Sequence, residues 1–259
     1  MATVPSRTDD ALVLARYPFR ERDFVVVLLT GGGGQIRAVA RRARTTHASG
    51  ASATEPLARI RATYFERPGA ELATLDEADV VRSAFDLARE PLAWAAGQVL
   101  AELAMIFCPP GQRNEAAFRL VDACVECLLA RRDPVALVHY AELWFLRLAG
   151  VFPELDRCGA CGARLPRGDR VYDPTERGFT CADHRPAGRV VRLTAAAADW
   201  LRSASHEPPE AVAAPAPADA VDWLIGLREH FTDRRVESWG YLRRLLREDG
   251  AARPGRGSR

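Results

Sequence analysis

Apolar positions in the first 80 residues recur in short runs rather than at helical spacing. Residues 11–16, 24–30 and 35–41 are brief apolar or alternating stretches, the pattern of strands buried on one or both faces. Residues 31–34 between the last two are all glycine, and glycine reaches the positive φ that a tight hairpin uses. A fourth strand is expected over 57–66, where Ile60, Ala62 and Tyr64 alternate with Arg59, Arg61 and Thr63, and a fifth near 71–75. Five short strands suit a small barrel of the OB type better than a sandwich, which wants about seven. The stretch between the third and fourth strands is rich in Ser, Thr and Ala and reads as an exposed loop carrying Arg42 and Arg44.

Beyond Arg82 the apolar period becomes helical. Residues 91–107, 114–131 and 134–150 read as amphipathic helices, the third opened by Asp133 as N-cap with Pro134 at the first helical position. Residues 194–203 and 220–248 also read as helical, and the Pro/Ala-rich stretch 206–219 between them is expected to run extended without packing. The pattern therefore predicts an α+β chain. An N-terminal OB-fold β-barrel spans 1–80, and an all-α domain spans 81–259 with a small zinc-ribbon-like insertion at 157–190 and a linker at 206–219.

Composition adds exclusions. With 48% hydrophobic and 27% charged residues, the chain is of ordinary globular make-up. Every one of the 36 basic side chains counted as Lys or Arg is Arg, so Schiff-base lysines and phosphate-loop lysines are excluded. No apolar run nears the roughly 20 residues of a membrane span, since Gln98 and Glu102 interrupt the longest. The start lacks the basic-then-apolar order of a secretory leader, so a cytoplasmic location without a membrane is expected. In that reducing compartment the six Cys are thiols or metal ligands. The formal net charge of +2 is uneven: residues 34–67 hold Arg37, Arg41, Arg42, Arg44, Arg59, Arg61 and Arg67 against only Glu55 and Glu66. A polyanion would feel that local excess.

The strongest chemical signal is Cys158-x2-Cys161 followed by Cys181-x2-His184. Each pair sets two donors on one tight turn, and together they offer the four tetrahedral ligands of a closed, structural Zn²⁺ site. A plain pair of loop thiols and a redox Cys-x2-Cys are the alternatives, the latter needing a strand-to-helix setting this Gly-rich loop lacks. Asp183, beside His184, is the alternative fourth ligand. Cys124 and Cys127 lie one helical turn apart among apolar neighbours and read as core, and Cys108 is expected to pack at a helix end.

No nucleophile and base stand at a useful spacing, and no nucleotide-binding or zinc-protease motif occurs, so the chain is expected not to be an enzyme. The barrel's Arg37, Arg41, Arg42 and Arg44, joined by Arg16, Arg20, Arg22, Arg59 and Arg61, instead fit a groove that counters phosphates. Tyr17, Phe19, Tyr64 and Phe65 are candidate stacking faces, with at most one of them expected to be exposed.

These segments resemble the bacterial recombination mediator family RecO. The similarity runs through LVLARYPFRERDFVVVLLT, GGQIRAVARRAR, LARIRATYF, ELATLDEADVV and AELWFLRLAGVFPELDRCGACG, in the order barrel, linker, helices and Cys-x2-Cys. The resemblance implies an OB-fold, a helical domain and a zinc-binding insertion, acting in DNA repair through the RecF pathway. It implies binding of single- and double-stranded DNA, strand annealing, and partnership with RecR in loading recombinase onto strands coated by single-stranded-DNA-binding protein. DNA contact carries over to Arg37, Arg41, Arg42 and Arg44 alone. Zinc-binding members commonly have four Cys, whereas His184 stands last here, and the final 70 residues match weakly. The rival is a zinc-containing DNA-binding transcription regulator that reads DNA through Arg157, Arg164, Arg167, Arg170, Arg177, Arg185 and Arg189 around the ribbon.

Overall fold

The computed structural model of the chain describes residues 6–21, 23–41, 53–67, 69–184, 186 and 188–252. The chain divides into two compact units, 1–134 with 236–259, and 135–235. Among the described residues no helix is long and apolar enough to cross a membrane.

The first unit is built on five strands: β1 (Ser6–Arg20), β2 (Asp23–Thr30), β3 (Gly34–Arg41), β4 (Arg59–Phe65) and β5 (Ala73–Arg82). They close a barrel in the order β1-β2-β3-β5-β4, with β3 and β5 parallel and the other pairs antiparallel. This is the OB-fold, as the strand pattern predicts. Inward-facing Ala11, Val13, Val26, Leu28, Ile36, Ala38, Ile60, Ala62 and Tyr64 fill the interior. The many alanines suit a barrel this narrow. Tyr64 is fully buried, donates its hydroxyl to Asp9 at 2.8 Å, and has its pKa pushed up to about 12 by burial and by that carboxylate.

Two strands outrun their sequence signal. The first half of β1 is polar, yet it pairs with β4 from Ser6↔Phe65 to Leu12↔Arg59. The second half of β5 is acid-rich, yet it runs to Arg82 because β4 pairs with it, Arg61 lying opposite Asp79 and Ile60 opposite Val80. Pairing partners supplied from elsewhere in the chain override weak local propensity. The glycine hairpin closes on one residue in particular. Gly34 has φ +76°, and a Cβ there would stand 1.9 Å from the carbonyl oxygen of Gln112.

Helices α1 (Pro91–Phe107), α2 (Glu115–Leu129) and α6 (Ser238–Ala252) belong to the same unit. Asn114 caps α2 by accepting the Ala117 N–H at 3.0 Å. Cys124 and Cys127 are buried on α2, as its apolar face requires, and burial pushes the Cys124 thiol up. Cys108 ends α1, is fully buried, and has its pKa pushed up to about 12 by desolvation. Charge joins α2 to the barrel wall: Asp122 receives Arg59 at 2.7 Å and Arg82 at 2.7 Å, and Arg59 also donates to Asp10 at 2.9 Å.

The second unit holds α3 (Pro134–Leu148), β6 (Arg170–Asp173), β7 (Gly178–Phe179), β8 (Val191–Leu193), α4 (Ala195–Ala204) and α5 (Ala218–Thr232). The three strands form one small sheet in the order β7-β6-β8. Phe152, Tyr172 and Phe179 gather around Trp223, with ring centroids 5.4–5.6 Å from it. Glu142 and Arg228, both buried, pair through Nε and Oε1. Such a pair stabilises little in itself, but removing one partner strands the other charge in a dry core.

Two expectations need correction. The stretch 206–219 does pack: Pro209, Val212 and Ala216 are buried, and its backbone is satisfied by side chains. Tyr140 donates to the Glu207 carbonyl at 3.1 Å, Trp200 donates to the Ala214 carbonyl at 3.0 Å, and the Ala216 N–H donates to His139 Nδ1 at 2.9 Å. Prolines have no N–H to satisfy, so a few side-chain donors suffice to bury such a segment. The helical run 220–248 is two helices, α5 and α6. Asp233 ends α5 in the left-handed conformation at φ 51°, and Arg228 reaches past it to the Arg234 carbonyl at 2.6 Å. Asp is among the few residues besides Gly that tolerate this geometry.

Gly34→Ala is expected to lower unfolding stability by about 2–4 kcal/mol in a denaturant titration, since both the dihedral and the Gln112 backbone oppose a Cβ. An unchanged midpoint would contradict the close approach. Asp10 gives a pH test. The Arg59 hydrogen bond, aided by Arg61 and opposed by partial burial, holds its carboxyl below the ordinary 3.8. Its contribution is therefore complete above that value and lost as pH falls through the lower folded-state pKa. Asp10→Asn should be less stable than the parent at neutral pH, with the gap closing in acid below pH 3.8; a gap independent of pH would overturn the assignment.

Candidate functional site

The donor cluster is assembled by backbone geometry on the β6–β7 hairpin. Cys158 donates its N–H to the Ala163 carbonyl and accepts the Gly162 N–H at its own carbonyl, both at 2.8 Å, which folds Cys158 to Cys161 into one tight turn. The Gly159 N–H then donates to the Phe179 carbonyl at 2.8 Å. A Cβ on Gly159 would stand 3.3 Å from the Gly178 Cα, so two glycines let the turn lie flat on the hairpin. Cys181, two residues past β7, is thereby delivered to the first pair. A second turn, His184 N–H to Cys181 carbonyl at 3.2 Å, brings in the imidazole.

The four donor atoms of Cys158, Cys161, Cys181 and His184 all lie within 4.8 Å of one another. Cys161 Sγ is 4.0 Å from Cys181 Sγ, and Cys181 Sγ is 3.3 Å from His184 Nδ1. Bonds of about 2.3 Å to sulfur and 2.0–2.1 Å to nitrogen give a tetrahedral Zn²⁺ site edges of roughly 3.8 and 3.5 Å. The residues therefore fit a tetrahedral metal ion, with His184 rather than Asp183 inside the cluster. Cys158 is buried while Cys161 and His184 are exposed. Burial opposes the Cys158 thiolate, but N–H groups of Cys161, Cys181 and Ala160 outweigh it and lower the pKa. Cys181 is likewise lowered, burial being outweighed by the N–H groups of Asp183 and His184. Thiolate is the form that binds metal.

Arg170 holds the loop before the hairpin. It is buried, and its guanidinium donates to the carbonyls of Leu155 at 3.0 Å, Pro166 at 2.7 Å and Gly168 at 3.1 Å, and to Asp156 at 3.3 Å. It is thus no candidate for reading DNA. Around the ribbon, Arg157, Arg164, Arg167, Arg177 and Arg189 are exposed, and Arg185 lies outside the described residues.

On the barrel, Arg37 and Arg41 both project outward from β3, since Ile36, Ala38 and Ala40 point into the core. Arg42, Arg44 and Arg22 lie outside the described residues. The antiparallel register extends that outer face: Val39 stands opposite Val25, and Val25 opposite Tyr17. Residues directly opposite in antiparallel pairs share a face, so Tyr17 lies on the same surface as Arg37 and Arg41. Two of the four candidate aromatics are exposed rather than one at most, Tyr17 at 47% and Phe19 at 43%. The cause is the length of β1: residues 16–20, paired with the start of β2, are all exposed. Tyr64 is core, and Phe65 is half-buried beside Arg67.

Arg59 and Arg61 do not belong to that surface. Arg59 is spent on Asp10 and Asp122, and Arg61 leans on Asp10 at 3.3 Å. The ion pairs of Arg59 carry no sequence signal, because their partners are 49 and 63 residues away.

An OB barrel with an outward Arg and aromatic face, accompanied by helices and a Cys₃His cluster whose donors fit a metal ion, defines a barrel-and-helix protein with a small Cys/His knuckle. Comparison with known families narrows this. Residues 1–84 match the model described as "Recombination protein O N terminal", and residues 88–243 match "Recombination protein O C terminal". The chain belongs to this family, RecO. It is similar to the DNA repair protein RecO of Anaeromyxobacter sp. (strain K), 33% identical over 248 residues covering 92% of this chain and 95% of that one. The DNA repair protein RecO of Koribacter versatilis is 35% identical over 181 residues, covering 69% of this chain and 72% of the other. The corresponding protein of Myxococcus xanthus is 30% identical over 240 residues, covering 90% and 96%.

Protein purified without chelators should contain about one Zn²⁺ per chain, and Cys158→Ser should lower both metal content and melting temperature, because metal bound only by the folded chain stabilises it. Cys124→Ala should leave metal content unchanged. Metal analysis that finds no bound metal in the parent would refute the site.

Proposed function

We propose that this chain is a non-catalytic mediator of DNA repair and homologous recombination in the RecF pathway. It binds single- and double-stranded DNA, anneals complementary strands, and with RecR loads recombinase onto strands coated by single-stranded-DNA-binding protein. In this proposal the barrel domain, 1–80, is the DNA-binding module. Arg37, Arg41, Arg42 and Arg44 counter phosphates, and Tyr17 offers a stacking face. The helical domain, 81–259, carries the insertion 157–190, whose cluster holds a structural Zn²⁺.

The observation that supports this most is the register placing Tyr17 on the outer face of β3 with Arg37 and Arg41. Cations paired with an accessible ring are what a single strand needs: the cations release condensed counterions and the ring accepts a base. The family membership and the DNA repair names of the relatives point the same way. A transcription regulator would instead need base-edge contacts and a preferred site, favoured by about 10³-fold or more.

Arg37→Ala with Arg41→Ala should weaken DNA binding without lowering the melting temperature. The slope of log affinity against log salt should fall by about 1.4–1.8, at 0.7–0.9 for each phosphate left unneutralised. Changing the base sequence should alter affinity little. Binding by the double variant as tight as the parent's at every salt concentration would rule out the barrel face. Annealing that persists on strands coated by single-stranded-DNA-binding protein separates a mediator from a regulator.

A further inference from the structure

The last helix, α6 (Ser238–Ala252), presents two different faces. Trp239 and Leu242 are buried, with Leu245 and Leu246 half-buried beside them, and this side packs on α1. At about 100° per residue, Gly240, Arg243, Arg244 and Arg247 fall together on the opposite side, and all four are exposed. Glu248 is exposed at the edge of that stripe and Asp249 lies towards the packed side. Among the described residues no carboxylate forms an ion pair with Arg243, Arg244 or Arg247. Two of the guanidiniums rest instead on the helix's own rings, Arg243 over Trp239 at 5.4 Å and Arg244 over Tyr241 at 5.5 Å. The sequence after Asp249 adds Arg253, Arg256 and Arg259 and no acid.

Two further observations make this face more than a solvated helix side. First, α6 is fixed in place. Glu102 of α1 accepts the N–H groups of Glu237 at 2.8 Å and Ser238 at 2.9 Å, and the Ser238 hydroxyl as well. A carboxylate set into the first turn satisfies donors that would otherwise be orphaned and complements the helix dipole. The basic stripe is therefore preorganised on the same unit as the barrel. Secondly, Gly240 lies in the first turn of α6, its N–H bonded to the Glu237 carbonyl at 3.0 Å, and a Cβ there would meet nothing within 4 Å. No internal packing accounts for it. An exposed glycine among three arginines leaves room for another backbone to approach closely.

We propose that the Gly240, Arg243, Arg244 and Arg247 face of α6 is a second DNA surface, separate from the outer face of β3, and that it holds the phosphate backbone of a single strand. The inference rests on the DNA-binding function proposed above and deepens it. A protein that pairs two strands needs to hold both at once, and one unit with two cationic faces does so without a second chain. Phosphates rather than an apolar partner are the occupant, because the face offers three cations and no large aliphatic side chain. Tyr241, 41% exposed at its margin, is available to a base.

The test compares the parent with two variants, Arg243→Gln/Arg244→Gln/Arg247→Gln on α6 and Arg37→Ala/Arg41→Ala on the barrel, using short oligothymidylates at low salt. The parent should bind two oligonucleotides per chain and each variant one. The α6 variant's salt slope on a longer oligothymidylate should also fall by about 2, at about 0.7 per phosphate. Melting temperature checks folding. Should the triple variant be destabilised, Gly240→Leu, which blocks the face without touching charge, should abolish the second binding event. An α6 variant that still binds two oligonucleotides with the parent's slope overturns the second surface while leaving the barrel surface standing. A loss confined to duplex DNA overturns the assignment of a single strand. A parent that binds no DNA overturns the proposed function itself, and the second surface with it.

Discussion

The first unit depends on β1 being paired along both edges. Its early residues hydrogen-bond to β4 and its later residues to β2, Ala11 and Leu12 pairing with both, and a register shift between Val13 and Ala15 follows within the β2 pairing. That double pairing closes the barrel. A closed barrel has no free edge to satisfy, and it sets every inward and outward position on the other four strands. The outer face of β3 exists as a surface because Ile36, Ala38 and Ala40 are committed to the interior. The length of β1 then decides what accompanies it, since the strand stays paired with β2 as far as Arg20 and places Tyr17 in line with Val25 and Val39.

Electrostatics divides the arginines into those that hold the protein together and those left for a partner. Arg59 and Arg82 converge on Asp122 and tie α2 to the barrel. Arg170 is buried among carbonyls, and Arg228 is buried against Glu142. Arg37, Arg41, Arg243, Arg244 and Arg247 remain exposed on two faces of one unit. An arginine-only chain suits both uses. The guanidinium presents five donors in a fixed fork, which can satisfy several buried carbonyls or grip a phosphate bidentately, whereas a lysine ammonium is a single strongly hydrated point charge.

The Cys₃His knuckle follows a different logic from the barrel. The β6–β7 hairpin is only a few residues long, too small to bury a core of its own, and its turns are held by backbone hydrogen bonds and two opposed glycines. A metal ion held by the four donors would supply the missing cohesion. Packing supplies the rest: Tyr172 and Phe179 on the sheet lie against Trp223 of α5, so the knuckle is joined to the helices of its own unit through an aromatic cluster.

Local pattern sufficed wherever the cause was local. A continuous apolar run set β2, alternating residues set β3 and β4, Pro134 set the start of α3, and the two-residue spacings set each donor pair of the Cys/His cluster, while the β6–β7 hairpin brings the two pairs together. That Arg37 and Arg41 face outward follows from Ile36, Ala38 and Ala40 being committed to the barrel interior. What depended on partners far along the chain was decided only by the tertiary structure. The polar half of β1 and the acidic half of β5 are strands because β4 pairs with them. Stretch 206–219 is packed because Tyr140, His139 and Trp200 reach its backbone. By sequence Arg59 belongs with the phosphate-countering arginines of the barrel, but the fold commits it to Asp122, 63 residues on. Sequence periodicity records which face of an element is buried, but the identity of the group that meets a charge or an unpaired backbone is a property of the closed fold.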